Sequence, residues 1–97
     1  MQFLVLTSDI GPVDWAEHEA LLADEADRVW HLIQEGRIRQ IWFTQPTKDA
    51  VMLLEEPSKA AAEATVQTLP LVQGGLIGSQ ILELTAYTGL ERLRGRP

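Results

Sequence analysis

Hydrophobic and polar positions divide the chain into strand-like runs and helical segments that alternate. Runs rich in β-branched and aromatic residues predict four strands, at Gln2–Thr7, Gly36–Gln45, Asp49–Glu56 and Ser79–Tyr87. Segments in which apolar residues recur every three or four positions predict two helices, at Asp14–Gly36 and Lys59–Thr68. The predicted order is therefore β-α-β-β-α-β.

Both predicted helices carry recognisable ends. Asp14 suits the N-cap of the first helix, with Glu17 three residues later in capping-box position, and Gly36 suits the left-handed residue after its end. The apolar stripe predicted to face the core consists of Trp15, Leu22, Ala26, Val29 and Ile33. His18 lies beside this stripe. The second helix is predicted to begin after Ser58 and to end at Leu69-Pro70-Leu71, before a flexible connector at residues 72–78.

The second strand is apolar on both of its faces. Strict alternation places Ile38, Gln40, Trp42 and Thr44 on one face, and Arg39, Ile41, Phe43 and Gln45 on the other. The centre of the third strand is also apolar on both faces. An antiparallel sheet usually leaves one face in water, so this sheet needs a cover on each side.

The element order predicts an α+β, ferredoxin-like fold with a four-stranded antiparallel sheet and two helices on one face. Because soluble monomers avoid a large exposed apolar face, we expect the other face to pack against a second copy about a two-fold axis. The expected organisation is one domain at residues 1–88 and a C-terminal tail at residues 89–97.

The charge of the chain bears on its expected partners. The net charge is -6, which argues against nucleic acid as a partner. Acidic residues concentrated in residues 1–36 favour a solvated helix face. The arginines of the tail favour a frayed terminus, with docking on the acidic helix of a neighbouring chain as the alternative.

Cysteine content and the start of the chain bear on its compartment. There is no cysteine, so disulfides and thiolate chemistry are excluded. The apolar start is too short for a signal peptide or a membrane span, and we expect a cytoplasmic protein with no membrane partner.

Several short motifs resemble the muconolactone isomerase-like family. They are Gly36, Arg37 and Trp42, the third strand up to Ser58, Leu69-Pro70-Leu71, and Glu83-Leu84-Thr85. The resemblance covers about Phe3 to Tyr87. It implies a dimeric α+β barrel, sometimes built into larger rings, and cofactor-free, metal-free proton transfer on a small unsaturated lactone. The sequence departs from the family at Phe43, where the family has a basic residue, and in a longer connector between Leu71 and Leu82.

Glu83 is the leading catalytic candidate because it lies in an apolar strand. If it is buried, its pKa rises, and such a carboxylate can move a proton from the carbon next to a carbonyl. The alternative is an edge-strand glutamate that faces water. His18 is a candidate second acid or base, with a partly exposed, purely structural histidine as the alternative.

Aromatic and hydroxyl side chains supply candidate substrate contacts. These are Trp42, Thr44, Thr85, Tyr87 and Trp15, with plain core packing as the alternative for both tryptophans. No metal site is expected, because His18 and His31 lie on different sides of one helix and no cysteine completes a ligand set. No cofactor is expected either.

Three functions remain open on the sequence. The first is a cofactor-free isomerase acting on a small lactone or aromatic-derived compound. The second is a cofactor-independent monooxygenase of a small hydroxyaromatic. The third is a non-catalytic subunit of the YciI-like type that binds a small molecule or only assembles.

Overall fold

A four-stranded antiparallel sheet forms the centre of the molecule. The computed structural model describes residues 1–96. The strands are β1 (Gln2–Asp9), β2 (Ile38–Phe43), β3 (Ala50–Glu55) and β4 (Ile77–Leu84). They pair in the order β2-β3-β1-β4, which confirms the predicted ferredoxin-like sheet. The predicted tail includes Pro97, which lies outside the described residues.

Within the described residues three α-helices accompany this sheet, and one of them was not predicted. They are α1 (Glu19–Gln34), α2 (Lys59–Gln67) and the single turn α3 (Pro70–Gln73). The core cluster combines strand residues such as Phe3 and Leu54 with Leu32 of α1 and Val66 of α2. The helices therefore cover one face, which we call the helix face. Within residues 1–96, no helix is both long enough and apolar enough to cross a bilayer.

The start of the first helix differs from the prediction, although its cap is confirmed. The Asp14 side chain accepts a hydrogen bond from Ala16 N at 3.2 Å, but the turn that it caps is a 3₁₀ turn at Trp15–His18. The α-helix begins only at Glu19. At the other end Gly36 has a φ of +77°, the left-handed conformation that glycine tolerates best.

The segment after α2 is more ordered than the sequence indicated. Ser58 caps α2 by accepting from Ala61 N at 3.1 Å, as predicted. The predicted connector at residues 72–78 is wrong at both ends, because Val72 and Gln73 belong to α3 and Ile77 and Gly78 belong to β4. Pro70 occupies the first turn of α3, where its missing N–H costs nothing. Strand β4 begins at Ile77 and ends at Leu84. Thr85 and Tyr87 consequently lie beyond the strand.

A bulge in β2 explains why its sequence does not alternate cleanly. Ile38 pairs with Leu54, but the register shifts before Gln40, so that Ile41 pairs with Met52. Paired residues share a face, and both Leu54 and Met52 are buried under the helices. Ile38 and Ile41 therefore lie on the same face, and the predicted strict alternation is wrong. A bulge of this kind inserts one residue and reverses the faces that follow.

The other face of the sheet, which we call the back face, is apolar along three rows. Leu4 lies between Leu53 and Leu82, and Leu6 lies beside Val51. Trp42 pairs with Val51 and remains 46% exposed. The expectation that the sheet is apolar on both sides is confirmed, because this face carries Leu4, Leu6, Trp42, Val51, Leu53, Leu82 and Leu84.

A buried carboxylate joins the end of β3 to α2. Glu56 is 5% exposed, and its side chain accepts a hydrogen bond from the Thr65 hydroxyl. Arg37 Nε lies 3.9 Å from Glu56 Oε1, and Glu56 N donates to Met1 O at 2.9 Å. Burial of a carboxylate is costly unless such partners satisfy it.

Removal of the Thr65 hydroxyl tests this cluster. We expect Thr65→Val to lower the free energy of unfolding by about 1–3 kcal/mol, because the buried Glu56 carboxylate loses its donor while the side-chain volume is kept. Urea denaturation measures the change. The matched control is Thr88→Val, at an exposed position. A loss no larger than that of the control would contradict the role given to this hydrogen bond.

Candidate functional site

A cavity of about 510 Å³ opens between α1 and one end of the sheet. Its floor is the helix face of the strands, where Thr7, Ile41, Met52 and Ile77 contribute. Its roof is α1, together with Leu71 of α3. Most of the lining is apolar, and the volume falls in the range typical of small-molecule sites. The cavity lies where β1 ends at Asp9 and β4 begins at Ile77.

Glu25 of α1 is the carboxyl group in the roof of this cavity. Its side chain is half-buried, and Oε1 accepts a hydrogen bond from Leu71 N at 3.0 Å. Burial raises the pKa of the Glu25 carboxyl above its ordinary value of 4.5, and the hydrogen bond from Leu71 opposes that rise. A carboxyl group poised in this way suits acid–base chemistry near neutral pH.

Sequence reasoning missed Glu25 because the predicted stripe of α1 was rotated around the helix. Leu32 is the one buried residue of α1, whereas Ile33 is 38% exposed. The inner face is centred beside the predicted stripe, on Leu21, Glu25 and Leu32, at spacings of four and seven. Three residues of the predicted stripe do line the cavity, namely Leu22, Ala26 and Val29. A carboxylate at a core-facing position of this series was the available signal. The sequence analysis did not use this signal, because it assigned all of the acidic residues of the helix to a solvated face.

The mouth of the cavity is held by two hydrogen-bonded features. Trp15 Nε1 donates to Asp9 Oδ2 at 3.2 Å, which fixes the 3₁₀ turn beside the end of β1. On the other side, Thr47 Oγ1 donates to Asp49 Oδ2 at 2.8 Å. These two contacts give Asp9 and Asp49 a specific partner each and so hold both rims of the cavity.

Three carboxyl groups and one ammonium group contribute to the lining. Asp9 and Asp49 lie at the mouth, Glu25 lies in the roof, and Lys48 is the basic residue. Lys48 has a φ of +56°, so the loop turns sharply at this residue. The balance of charge in the lining is negative, which disfavours a ligand that carries several negative charges.

Two of the residues predicted as substrate contacts line the cavity. Trp15 lies at its mouth, and Trp42 contributes at the edge formed by β2. Phe43, the position at which the sequence departs from the family, also lines the cavity. His18 is not part of the lining, but its ring meets Trp15 edge-on, with ring centroids 6.3 Å apart. It therefore lies one side chain behind the cavity.

The other predicted site residues lie elsewhere in the same subunit. Glu83 is exposed and pairs with Phe3. Phe3 lies four residues before Thr7 of the cavity floor, a distance of about 13 Å along β1. Thr85 and Tyr87 are exposed beyond β4. The Thr44 hydroxyl accepts from Asp49 N at 3.1 Å, so it orders the loop at the mouth. Glu83 shares the helix face with Ile81, but it does not meet His18 at this cavity.

Within residues 1–96, no three histidine, cysteine, aspartate or glutamate side chains are grouped as metal ligands. The carboxylates at the cavity are separated from one another and are bonded to Trp15, Thr47 and Leu71.

Comparison with solved structures identifies the fold. The chain is similar to muconolactone isomerase, with 27% identity, a TM-score of 0.77, and coverage of 91% of this chain and 92% of that chain. It is also similar in fold to 5-chloro-2-hydroxyhydroquinone dehydrochlorinase from Burkholderia phenoliruptrix AC1100, in complex with 2,5-dihydroxybenzoquinone. That likeness has 15% identity, a TM-score of 0.73, and coverage of 92% and 98%.

These structures confirm the resemblance to the muconolactone isomerase-like family that the sequence indicated. No protein-family model matches the chain, and no curated protein matches it. The common fold does not by itself establish a common reaction.

The dependence of stability on pH tests the burial of Glu25. Because its pKa is raised in the folded protein, ionisation of this carboxyl opposes folding as pH rises through the folded-state pKa. We expect Glu25→Gln, which keeps an acceptor for Leu71 N, to raise the free energy of unfolding at about pH 8 relative to wild type. That gain should shrink to near zero below about pH 4, where the wild-type carboxyl is protonated in both states.

Urea denaturation across this pH range measures the difference, and Glu63→Gln on the exposed side of α2 is the matched control. A pH-independent difference for Glu25→Gln would contradict the burial of an ionisable group at this position.

Proposed function

We propose that the cavity binds a small, largely apolar ring compound and that Glu25 transfers a proton within it. The observation that carries this proposal is a half-buried carboxyl group of raised pKa inside an apolar cavity of about 510 Å³. Such a group is a stronger base in its ionised form than an exposed glutamate, and it holds its proton closer to neutral pH.

The reaction proposed is the shift of a C=C bond in an unsaturated lactone. The Glu25 carboxylate takes a proton from a carbon conjugated with the carbonyl, either the carbon next to it or the carbon beyond the C=C bond, and the electrons of the broken C–H bond delocalise toward the carbonyl oxygen. The carboxylic acid then returns that proton to a different carbon. The product is an isomer of the substrate, and the carboxylate is regenerated without a further reactant.

Similarity to muconolactone isomerase supports this class of reaction. The cavity differs at Phe43, where the family has a basic residue, so the binding of a carboxylate would fall to Lys48 at the mouth. Glu83 and His18 remain the catalytic residues predicted from the sequence, and the assay below tests Glu83 against Glu25.

The presence of Glu25 favours proton transfer over the monooxygenase alternative. A wholly apolar, aromatic cavity would favour the monooxygenase or the non-catalytic alternative, whereas this cavity contains a carboxyl group among its aromatic residues. Binding without turnover remains the alternative outcome of the assay.

We also propose that two copies pack their back faces together about a two-fold axis. Seven apolar residues lie on that face, with Leu4, Leu53 and Leu82 in one row at its centre. A soluble protein that exposes such a patch usually covers it with another chain, and self-complementary packing is the commonest arrangement.

Substitution of each candidate glutamate by glutamine tests the reaction. We expect Glu25→Gln to lower kcat for the isomerisation of muconolactone or a neutral unsaturated lactone by about 10²–10⁴-fold, because the amide cannot accept the proton. Glu83→Gln is the matched variant, and we expect it to retain turnover within about threefold, because Glu83 is exposed about 13 Å from the cavity. Ultraviolet absorbance and exchange of the substrate C–H in deuterated water measure the reaction.

Loss of turnover in Glu83→Gln with full activity in Glu25→Gln would reverse the two assignments. Ligands that quench the fluorescence of Trp15 and Trp42 but are never turned over would overturn the catalytic half of the proposal.

A charge at the centre of the back face tests the association. We expect Leu53→Asp to convert the protein from a mass of twice the 10.8 kDa chain, or a larger multiple, to a mass of one chain, because burial of an unpaired carboxylate is costly. Light scattering after size-exclusion chromatography gives the mass, and Gln67→Asp on α2 is the control. A folded wild-type protein with the mass of a single chain would exclude the association.

A further inference from the structure

Three hydrogen-bond donors in the lining of the cavity are already engaged within the protein. Thr7 Oγ1 donates to a main-chain oxygen of β3 at 2.8 Å. Trp15 Nε1 donates to Asp9 Oδ2 at 3.2 Å, and Thr47 Oγ1 donates to Asp49 Oδ2 at 2.8 Å. A hydroxyl or an indole group carries a single hydrogen to donate. These three side chains therefore offer a ligand little capacity to satisfy its acceptors.

The carboxyl groups of the lining retain the opposite capacity. An ionised carboxylate has two oxygens that accept hydrogen bonds. The contacts with the protein involve Oδ2 of Asp9, Oε1 of Glu25 and Oδ2 of Asp49, which is one oxygen of each group. Each protein donor thus orients a carboxylate whose second oxygen can accept from a ligand. The cavity is consequently matched to a ligand that donates hydrogen bonds.

Two neighbouring strands bring two of these carboxylates to the same end of the sheet. The hydrogen bond from Thr7 to Ala50 O at 2.8 Å keeps the end of β1 beside the start of β3. Asp9 follows Thr7 by two residues, and Asp49 immediately precedes Ala50. Glu25 contributes to the same cavity from the roof. The three negative charges therefore act on one ligand site.

Burial makes these carboxylates more effective than the basic residue of the lining. Glu25 and Asp49 are half-buried, whereas Lys48 is exposed on the loop. Water and salt screen an exposed charge strongly, but they screen a charge at the edge of an apolar interior less. The field inside the cavity is therefore negative, and an anionic ligand has only an exposed ammonium group to attract it.

Aromatic side chains in the lining act in the same direction. Trp15, Trp42 and Phe43 all contribute to the cavity, and Phe43 is 71% exposed at the mouth. The faces of aromatic rings carry negative partial charge and attract cations. Rings and carboxylates together favour an ammonium group over a carboxylate, because both repel negative charge.

We propose that the natural ligand of the cavity is a small ring compound that carries a protonated amine. The ring occupies the apolar part, lined by Leu22, Val29 and Met52 among others. The ammonium group lies toward the mouth and donates its hydrogens to the carboxylates there. This assignment rests on the proposed function in one respect, that the cavity binds a ring compound, and it does not require proton transfer.

Three ligands that differ in one polar group test the preference. They are 2-phenylethylamine, 2-phenylethanol and phenylacetate, which carry a phenyl ring on a two-carbon chain that ends in an ammonium, a hydroxyl or a carboxylate group at neutral pH. Isothermal titration calorimetry of the full chain measures each Kd at about 0.15 M salt. We expect the Kd of the amine to be at least about tenfold lower than that of the alcohol, and phenylacetate to bind most weakly. The advantage of the amine should shrink at about 1 M salt.

Neutral variants of the mouth test which groups produce the preference. Asp9→Asn and Asp49→Asn each keep an acceptor oxygen for the existing donor but remove the charge. We expect each to reduce the advantage of the amine over the alcohol by at least about threefold. Glu63→Gln, at an exposed position on α2 outside the lining, removes the same charge and is the matched control. It should change that advantage by less than about 1.5-fold.

A second pair of variants reverses the charge of the mouth without touching the carboxylates. Phe43→Lys places an ammonium group at an exposed position, and Phe43→Leu is its uncharged control. We expect Phe43→Lys to lower the preference for 2-phenylethylamine over phenylacetate by at least about tenfold relative to Phe43→Leu. If either aspartate variant fails to fold, this pair provides the test.

The outcomes separate this proposal from the proposed reaction. Equal affinities for the amine and the alcohol, or tighter binding of phenylacetate, would overturn the preference for an amine while the cavity remained a site for ring compounds. Absence of binding by all three ligands would overturn both this proposal and the binding half of the proposed function. Turnover does not enter the measurement, so loss of the proposed reaction alone leaves the result unchanged.

Discussion

The sheet is apolar on both of its faces, and the rest of the structure follows from that constraint. The helix face buries Phe3, Val5 and Leu54 without exposure, under α1 and α2. The back face carries a second set of leucines that no described element of the chain covers. The helices of the described residues lie on one face only, and a small domain buries a limited share of its surface.

The cavity exists because the helix cover is incomplete at one end of the sheet. Near Leu32 and Ile38 the helices pack directly on the strands. Toward Asp9 and Ile77, α1 and the single turn of α3 meet the sheet less closely, and the gap remains open. The backbone of Leu71 holds Glu25 at this point. The carboxyl group is thereby kept in an apolar setting, which is the physical cause of its raised pKa.

Local sequence patterns predicted the elements well, but they predicted less well what each face contacts. The element order, the caps at Asp14 and Ser58, and the apolar back face all follow from short-range signals. A hydrogen bond from Trp15 to Asp9 joins the 3₁₀ start of the first helix to the end of β1, and one from Leu71 to Glu25 joins α3 to α1. No local pattern encodes either contact. Glu25 was missed for a related reason. The rotation of α1 about its axis is set by Leu32 in the core, and a rotation of one residue moves a carboxylate from solvent to the interior.

The bulge in β2 has a consequence for changes in chain length. It places Ile41 and Phe43 on the cavity side, while Trp42 joins the opposite surface. Deletion of a single codon at Arg39 would remove the extra residue and restore regular pleating, and Trp42 and Phe43 would keep their faces because they keep their partners on β3. Substitution of Arg39 leaves the count unchanged and preserves the arrangement. The bulge itself therefore decides which surface each ring joins: if the strand flattened there without losing a residue, Trp42 and Phe43 would exchange faces, and both surfaces would be altered at once.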